Sequence, residues 1–112
     1  MTIQTKIDSN DAYLMIQGEV DASCSIELDN EISKVLSVGV KNILIDCAEL
    51  TYISSAGLGV FMAHYEDCND AGVKMVVYNM SAKIKSVFGM LGLDQILPIK
   101  DTEEEAKHSI NA

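Results

Sequence analysis

The sequence predicts an α/β fold: a mainly parallel β-sheet of about five strands with an N-terminal hairpin and about four helices. Short runs of apolar and β-branched residues recur along the 112 residues, and the stretches between them carry apolar residues at helical spacing. Strands that alternate with helices are typical of a parallel sheet with right-handed crossovers. No repeat or linker interrupts the pattern, so we expect residues 1–112 to form one domain.

The first twenty residues predict the hairpin. Apolar and polar residues alternate through Ile3, Thr5 and Ile7, and a second extended run begins at Tyr13. Between them lies Ser9-Asn10-Asp11, whose composition favours a turn.

The first helix is predicted between Asp21 and Gly39. Asp21 can cap the helix at its N-terminus, and Gly39 is placed to end it. The apolar residues that set the helical period are Leu28, Ile32, Val35 and Leu36.

The middle of the chain predicts a β-α-β unit. Residues Asn42–Asp46 form a short apolar run of the kind expected for a central strand covered on both faces. A second helix ends near Gly72, and Val73–Tyr78 is the next strand. The apolar stripe of that helix consists of Leu58, Phe61, Met62, Tyr65 and Cys68.

The C-terminal third predicts two further helices and one strand. The third helix opens at Ser81 and stops at Gly92. Residues Gln95–Ile99 resemble an edge strand, because the proline among them cannot donate to a hydrogen-bond ladder. Residues 102–110 are expected to form a last short helix.

Charge and composition narrow the classes of function. Eight basic and seventeen acidic side chains give a formal net charge of −9, which repels nucleic acid and anionic lipid. We therefore expect neither nucleic acid nor a membrane as partner. The same field favours a partner with a basic patch, although an acidic balance also serves solubility alone. The chain has no apolar run of transmembrane length and no signal-peptide core, which predicts a cytoplasmic protein.

The cysteines and histidines predict no metal site and no disulfide. Cys24, Cys47 and Cys68 are odd in number and more than twenty residues apart, which fits neither a disulfide framework nor a zinc site. Cys47 ends a strand-like run and Cys68 lies on a helical stripe, so we expect both to pack in the core. His64 and His108 are expected on solvated helix faces.

The segment that joins the central strand to the second helix is the candidate site. It lies at the carboxyl end of a parallel strand, where open α/β sheets place functional loops. Ser54 and Ser55 can each serve as the N-cap of the helix. Gly57 and Gly59 each cost roughly 1 kcal/mol of helix propensity relative to alanine. They leave room either for a partner to approach the serine or for tight packing on the sheet.

Catalytic interpretations of this segment fit less well. A nucleophilic serine needs a nearby base, and none is evident in the sequence. The nucleophile elbow requires glycine two residues before the serine, where Ser55 has Ile53 and Ser54 has Tyr52. The pair of glycines also lacks the lysine and the spacing of a phosphate-binding loop. We assign no catalytic residue.

Four segments together carry a family resemblance over nearly the whole chain: Gly18–Asp21, Asn42–Asp46, Tyr52–Gly59 and Gly72–Val77. In this order they resemble the STAS domain family, and within it the single-domain anti-sigma factor antagonists. Family members are phosphorylated on the serine two residues before the first glycine of the third segment, which here is Ser55. Many regulatory members have aspartate at the preceding position, so Ser54 is a departure and a competing acceptor.

The resemblance also implies partners. The unphosphorylated form would bind an anti-sigma factor that is itself a serine kinase, which frees the sigma factor. The kinase would inactivate its antagonist by phosphorylating it, and a metal-dependent serine/threonine phosphatase would reverse this. ATP and metals belong to those partners, so no cofactor is expected here. The residues implied in partner binding are Asp21, Ser54, Ser55, Ala56, Gly57, Leu58 and Gly59.

Two alternatives remain open at the level of sequence. One is a STAS scaffold that is never phosphorylated and works through constitutive contacts. The other is a small phosphate- or nucleotide-binding enzyme that uses the helix N-terminus as an anion site. For Asp21, helix capping and a contact with the kinase are both compatible with the sequence.

Overall fold

The structure is a computed structural model that describes residues 1–111; Ala112, the last residue of the expected domain, lies outside the described residues. It confirms the predicted α/β architecture. The strands are β1 Thr2–Asp8, β2 Asp11–Val20, β3 Asn42–Ile53, β4 Lys74–Tyr78 and β5 Ile99–Lys100. The helices are α1 Ser25–Val38, α2 Ser55–Ala71, α3 Ala82–Met90 and α4 Glu103–Ile110, with a 3₁₀ turn at Leu93–Gln95.

The strands form one sheet in the order β1-β2-β3-β4-β5. The hairpin strands β1 and β2 are antiparallel, and every other neighbouring pair is parallel. Ser9, in the hairpin turn, adopts a φ of 59°, a conformation that tight turns require. The hairpin and the central position of β3 are therefore as predicted.

Strand β3 is longer than its sequence pattern suggested. The predicted run ends at Asp46, which is where β4 stops pairing with it. Beyond that point β3 continues through Cys47 to Ile53, paired with β2 alone and with two register shifts. Cys47, Leu50 and Ile53 are buried at every third position, because these irregularities break the period-two alternation that marks a strand.

Helices cover both faces of the sheet. Helices α1, α2 and α3 pack on one face, where the rings of Phe61 and Phe88 meet edge to face with centroids 5.8 Å apart. Helix α4 packs on the other face, in a smaller cluster formed by Leu44, Val76, Tyr78, Ala106 and Ile110. Neighbouring residues of β3 and β4 alternate between the two clusters, which explains their continuous apolar sequence.

The predicted strand over residues 95–99 is largely wrong. Gln95 belongs to the 3₁₀ turn, and only Ile99 and Lys100 pair with β4. The carbonyl of Pro98 accepts a hydrogen bond of 3.0 Å from the amide of Val77, so the chain joins the sheet edge only at the proline. The final helix agrees with its prediction, with the Thr102 hydroxyl as N-cap.

The expectation for His64 is also wrong. Its residue is 4 % exposed, because position 64 falls on the same helical stripe as Phe61 and Cys68. His108 is exposed as expected. Cys47 and Cys68 are buried as predicted, and burial, with the nearby Asp67 carboxylate, raises the pKa of the Cys68 thiol to about 11. None of the helices within residues 1–111 is long and apolar enough to cross a membrane.

Candidate functional site at the N-terminus of helix α2

A backbone hydrogen bond connects the end of β2 to the start of α2. The amide of Ser54 donates a hydrogen bond of 2.8 Å to the carbonyl of Val20, which is paired in register with Ile53. Asp21 is the next residue after Val20. The structure therefore brings Asp21 and the two serines to the same edge of the sheet, where the carboxyl ends of parallel strands meet.

Ser54 is the N-cap of α2. Its backbone is extended, with φ −85° and ψ 170°, and its hydroxyl accepts a hydrogen bond of 3.2 Å from the amide of Gly57. Its carbonyl accepts from the amide of Leu58 at 3.0 Å. The Ser54 hydroxyl thus satisfies one of the free amides at the helix start.

Ser55 is the first residue of the helix and differs from Ser54 in its exposure and in its hydrogen bonding. It is exposed, and its hydroxyl makes no hydrogen bond to any residue in the range 1–111. Ala56 and Gly59 beside it on α2 are exposed as well. Of the two adjacent serines, one hydroxyl is occupied by the helix cap and the other faces an open surface.

The two glycines of the motif have different surroundings. A Cβ atom on Gly57 would fall 2.8 Å from Val20 Cγ1 and 2.9 Å from Ile53 Cγ1, which real Cβ atoms do not tolerate. A Cβ atom on Gly59 would meet nothing within 4 Å. Tight packing on the sheet therefore accounts for Gly57, whereas Gly59 leaves free space beside Ser55.

Some of the predicted partner-binding residues are buried, and others are exposed. Gly57 and Leu58 are buried and hold the helix on the sheet. Ser55, Ala56, Gly59 and Asp21 are exposed, and Ser54 is half-buried. The buried residues Gly57 and Leu58 are therefore not placed to touch a partner directly.

Asp21 makes hydrogen bonds of the predicted capping type, but on the turn that leads into α1 and not on the first turn of the helix itself. The N-cap position of α1 is Cys24. The Oδ1 atom of Asp21 accepts from the Ser23 hydroxyl at 2.7 Å and from the amides of Ser23 and Cys24 at 3.0 Å each. These hydrogen bonds, with that of the Ser23 hydroxyl the largest, lower the pKa of Asp21 to about 2. The turn thus holds an exposed carboxylate in a fixed place.

Three residues of this region were missed in the sequence. The Cys24 thiol accepts from the amide of Asp21 at 3.2 Å and donates to the carbonyl of Glu19 at 3.3 Å, which ties the turn to the end of β2. Ile26 on α1 and Tyr52 next to the end of β3 are large apolar residues that are 65 % and 44 % exposed. Their signal was available, since neither lies on a buried stripe of its element.

The fold and the site define a small α/β domain that presents a serine at the exposed start of a helix beside a fixed carboxylate. Within residues 1–111 no three side chains of ligand type are grouped to hold a metal ion. The sequence model of the STAS domain matches residues 2–106. The chain belongs to the STAS domain family.

Individual relatives agree with this membership. The anti-sigma-B factor antagonist of Listeria monocytogenes is 29% identical over 99 residues, an alignment that covers 88% of this chain and 86% of the relative. A crystal structure of a candidate anti-sigma factor antagonist from Thermotoga maritima has a TM-score of 0.91 at 22% identity, covering 98% of this chain and 95% of that one.

The third comparison is with one protein in two chemical states. The anti-sigma factor antagonist SpoIIAA in its unphosphorylated form matches with a TM-score of 0.77 at 20% identity, over 99% of both chains. The phosphorylated form of this Bacillus cell fate determinant matches with a TM-score of 0.73 at 21% identity, over 97% of this chain and 99% of that one. At such identities the likeness establishes the fold.

Proposed function

We propose that this chain is an anti-sigma factor antagonist controlled by phosphorylation of Ser55. In its unphosphorylated form it binds an anti-sigma factor that is a serine kinase, and the sigma factor is released. The kinase transfers a phosphoryl group from ATP to the Ser55 hydroxyl, and the product no longer binds. A metal-dependent serine/threonine phosphatase restores the active form. The chain acts in the cytoplasm as a binding module and not as an enzyme.

The observation that carries this proposal is the difference between the two serine hydroxyls. A phosphoacceptor must enter the active site of a kinase, and Ser55 is exposed and makes no hydrogen bond within residues 1–111. The Ser54 hydroxyl is held by the amide of Gly57. Phosphorylating Ser54 would remove a helix cap, whereas phosphorylating Ser55 leaves the cap in place.

The same position explains how one phosphate can switch binding while the fold survives. Phosphorylation adds about −1.5 to −2 charges, and an anion at a helix N-terminus is stabilised by roughly 0.3 to 1 kcal/mol. At an interface that does not accommodate it, desolvating a phosphate costs several kcal/mol, and a hundredfold loss of affinity needs only about 2.7 kcal/mol. The modification therefore acts on the complex and not on the domain.

The relatives supply independent support. Those from Listeria monocytogenes and Bacillus subtilis are both named anti-sigma-B factor antagonists. SpoIIAA has solved structures in phosphorylated and unphosphorylated forms, and the fold of this chain is similar to both.

Incubation with its kinase and ATP, followed by mass spectrometry of the peptide that contains both serines, tests the proposal. We expect one phosphate, on Ser55. Ser55→Ala abolishes labelling, and the matched Ser54→Ala variant retains it. Labelling of Ser54 alone would contradict the assignment. Stable binding to the anti-sigma factor without any labelling would favour the constitutive scaffold.

A further inference from the structure

Helices α1 and α2 touch mainly through apolar side chains, but one polar contact crosses between them. The Nε2 atom of His64 on α2 lies 2.5 Å from Oδ1 of Asp29 on α1. Within residues 1–111 it is the one hydrogen bond that joins these two helices. The surrounding contacts come from buried residues such as Leu28, Ile32 and Phe61.

Burying the His64 imidazole between α1 and α2 is energetically unfavourable. The His64 side chain is 5 % exposed, and its Nδ1 atom is buried without a hydrogen-bond partner in the described part of the chain. The nearest carboxylate oxygen to Nδ1, on Asp67, is 3.9 Å away. A buried polar atom left unpaired costs roughly 1 to 3 kcal/mol, which an apolar residue at this core position would avoid. The ring must therefore contribute something other than packing.

The His64 ring contributes a directional contact that restricts how α1 packs against α2. Apolar packing permits small slides and rotations between helices, whereas a hydrogen bond weakens when its distance and angle depart from their preferred range. Asp29 lies four residues after the start of α1, and His64 lies nine residues after Ser55 on α2. At 1.5 Å per residue these are roughly 6 Å and 14 Å from the two helix starts. The contact thus holds the second turn of α1, close to the Asp21 turn, against the middle of α2.

Those two helix starts hold the two halves of the site. Helix α1 follows the Asp21 turn, whose carboxylate accepts from the amide of Cys24. Helix α2 begins with Ser55. The amide of Ser25 donates to the Asp21 carbonyl, so a rotation of α1 against α2 would act on the Asp21 turn, while the start of α2 stays hydrogen-bonded to Val20 through Ser54. A kinase that recognises both groups at once depends on their separation.

We propose that His64 is a positioning residue for the switch: through Asp29 it sets α1 against α2 so that the Asp21 turn and Ser55 are presented together to the kinase. This inference rests on the proposed function, since it concerns how that site is recognised. His64 itself is buried and lies nine residues after the phosphoacceptor on α2.

The test compares variants that break the contact with one that only weakens the core. His64→Ala and Asp29→Ala each remove one side of the hydrogen bond, and the second changes a half-exposed side chain, so it keeps the fold if the first does not. His64→Gln retains an amide that can donate to Asp29. Val35→Ala is the matched control, because Val35 is buried on α1 and takes no part in the contact. Affinity is measured by calorimetry with the kinase that phosphorylates the wild-type chain, phosphorylation by kcat/KM, and stability by urea unfolding.

We expect His64→Ala and Asp29→Ala to weaken affinity and phosphorylation by roughly three- to tenfold, with the double variant no worse than either single one. His64→Gln should recover most of the loss. Val35→Ala should lose stability while its affinity stays within about twofold of wild type. If the His64 and Asp29 variants lose only stability, as the Val35 variant does, the positioning role is refuted. Failure of the wild-type chain to bind or be labelled would instead refute the proposed function.

Discussion

Gly57 lies so close to Val20 that a Cβ atom on the glycine would fall 2.8 Å from Val20 Cγ1. The first turn of α2 therefore rests directly on the end of β2, at a distance that no other residue type allows. Val20 also accepts the hydrogen bond from the amide of Ser54. These two contacts fix the height and direction of the helix start, and with it the place of Ser55.

Replacing Gly57 by alanine sets two effects on stability against each other: a steric clash with β2 and the higher helix propensity of alanine. The added methyl group meets the β-branched side chains of Val20 and Ile53, and both residues are buried. We expect Gly57→Ala to lose about 1 to 3 kcal/mol in the free energy of unfolding, as overpacked cores do. Urea unfolding followed by circular dichroism measures it. A variant as stable as wild type would show that the helix start can lift without cost.

The matched change at Gly59 should have the opposite effect on stability. A methyl group there meets nothing within 4 Å, so Gly59→Ala should gain up to about 1 kcal/mol from helix propensity alone. If a partner uses the free space beside Ser55, the same variant binds the kinase about tenfold more weakly, or 1.4 kcal/mol. Unchanged affinity would mean that the partner does not approach α2 at this position.

Ser54 should act through its cap. Ser54→Ala leaves the amide of Gly57 without its partner and should cost about 1 kcal/mol of stability. Ser54→Asp keeps an acceptor at the same place and should unfold within about 0.5 kcal/mol of wild type. Thermal or urea unfolding of the pair measures the difference. Equal losses in both variants would show that the hydroxyl has a role that a carboxylate cannot fill.

Ser55 should affect binding and leave the fold nearly unchanged. Ser55→Asp places a negative charge at the helix N-terminus, so its free energy of unfolding should stay within about 1 kcal/mol of wild type. Its affinity for the kinase should fall by about a hundredfold, or 2.7 kcal/mol, while Ser55→Ala binds and resists inactivation. Calorimetry and unfolding on the same samples separate the two effects. Collapse of the fold in the aspartate variant would contradict the mechanism.

The Asp21 turn should lose its stabilising effect in acid. Hydrogen bonds from Ser23 and Cys24 lower the pKa of this carboxyl from 3.8 to about 2 in the folded chain. Because the folded pKa is depressed, the contribution is fully present above pH 3.8 and disappears as the pH falls through about 2.

Comparison with Asp21→Asn isolates the contribution of the Asp21 carboxylate to stability. Wild type should be more stable than the variant at neutral pH, and the difference should shrink steadily between about pH 4 and pH 2. Urea unfolding of both proteins across that range measures it. A difference that does not depend on pH would show that the carboxylate charge is not what holds the turn.

Much of this molecule follows from local patterns. The helical spacing of apolar residues predicts α1, α2 and α3, and Gly39 and Gly72 end their helices in the left-handed conformation that glycine favours. The place of the serines at the end of a central strand follows from the order of strands and helices. These predictions succeed because the spacing of apolar residues in the sequence matches the spacing of buried positions in the structure.

Other features depended on contacts between distant segments. The far half of β3 lacks an alternating pattern, since its pairing with β2 is irregular. The helical spacing places His64 on the buried stripe of α2, but the partner of its ring, Asp29, lies thirty-five residues earlier in the chain. Polar side chains are buried only where tertiary structure supplies a partner, and no local pattern shows that partner.

The sequence by itself determined the α/β class, the order of strands and helices and the position of a serine-glycine segment at a helix start. Through the family resemblance it also pointed to Ser55 as the phosphoacceptor, but it left open which serine caps the helix and whether the glycines make room for a partner or allow tight packing. Only the tertiary structure separated them: the Ser54 hydroxyl caps the helix, and Gly57 faces Val20 while Gly59 faces open space. Both distinctions depend on how α2 meets the end of β2, a contact between segments more than thirty residues apart.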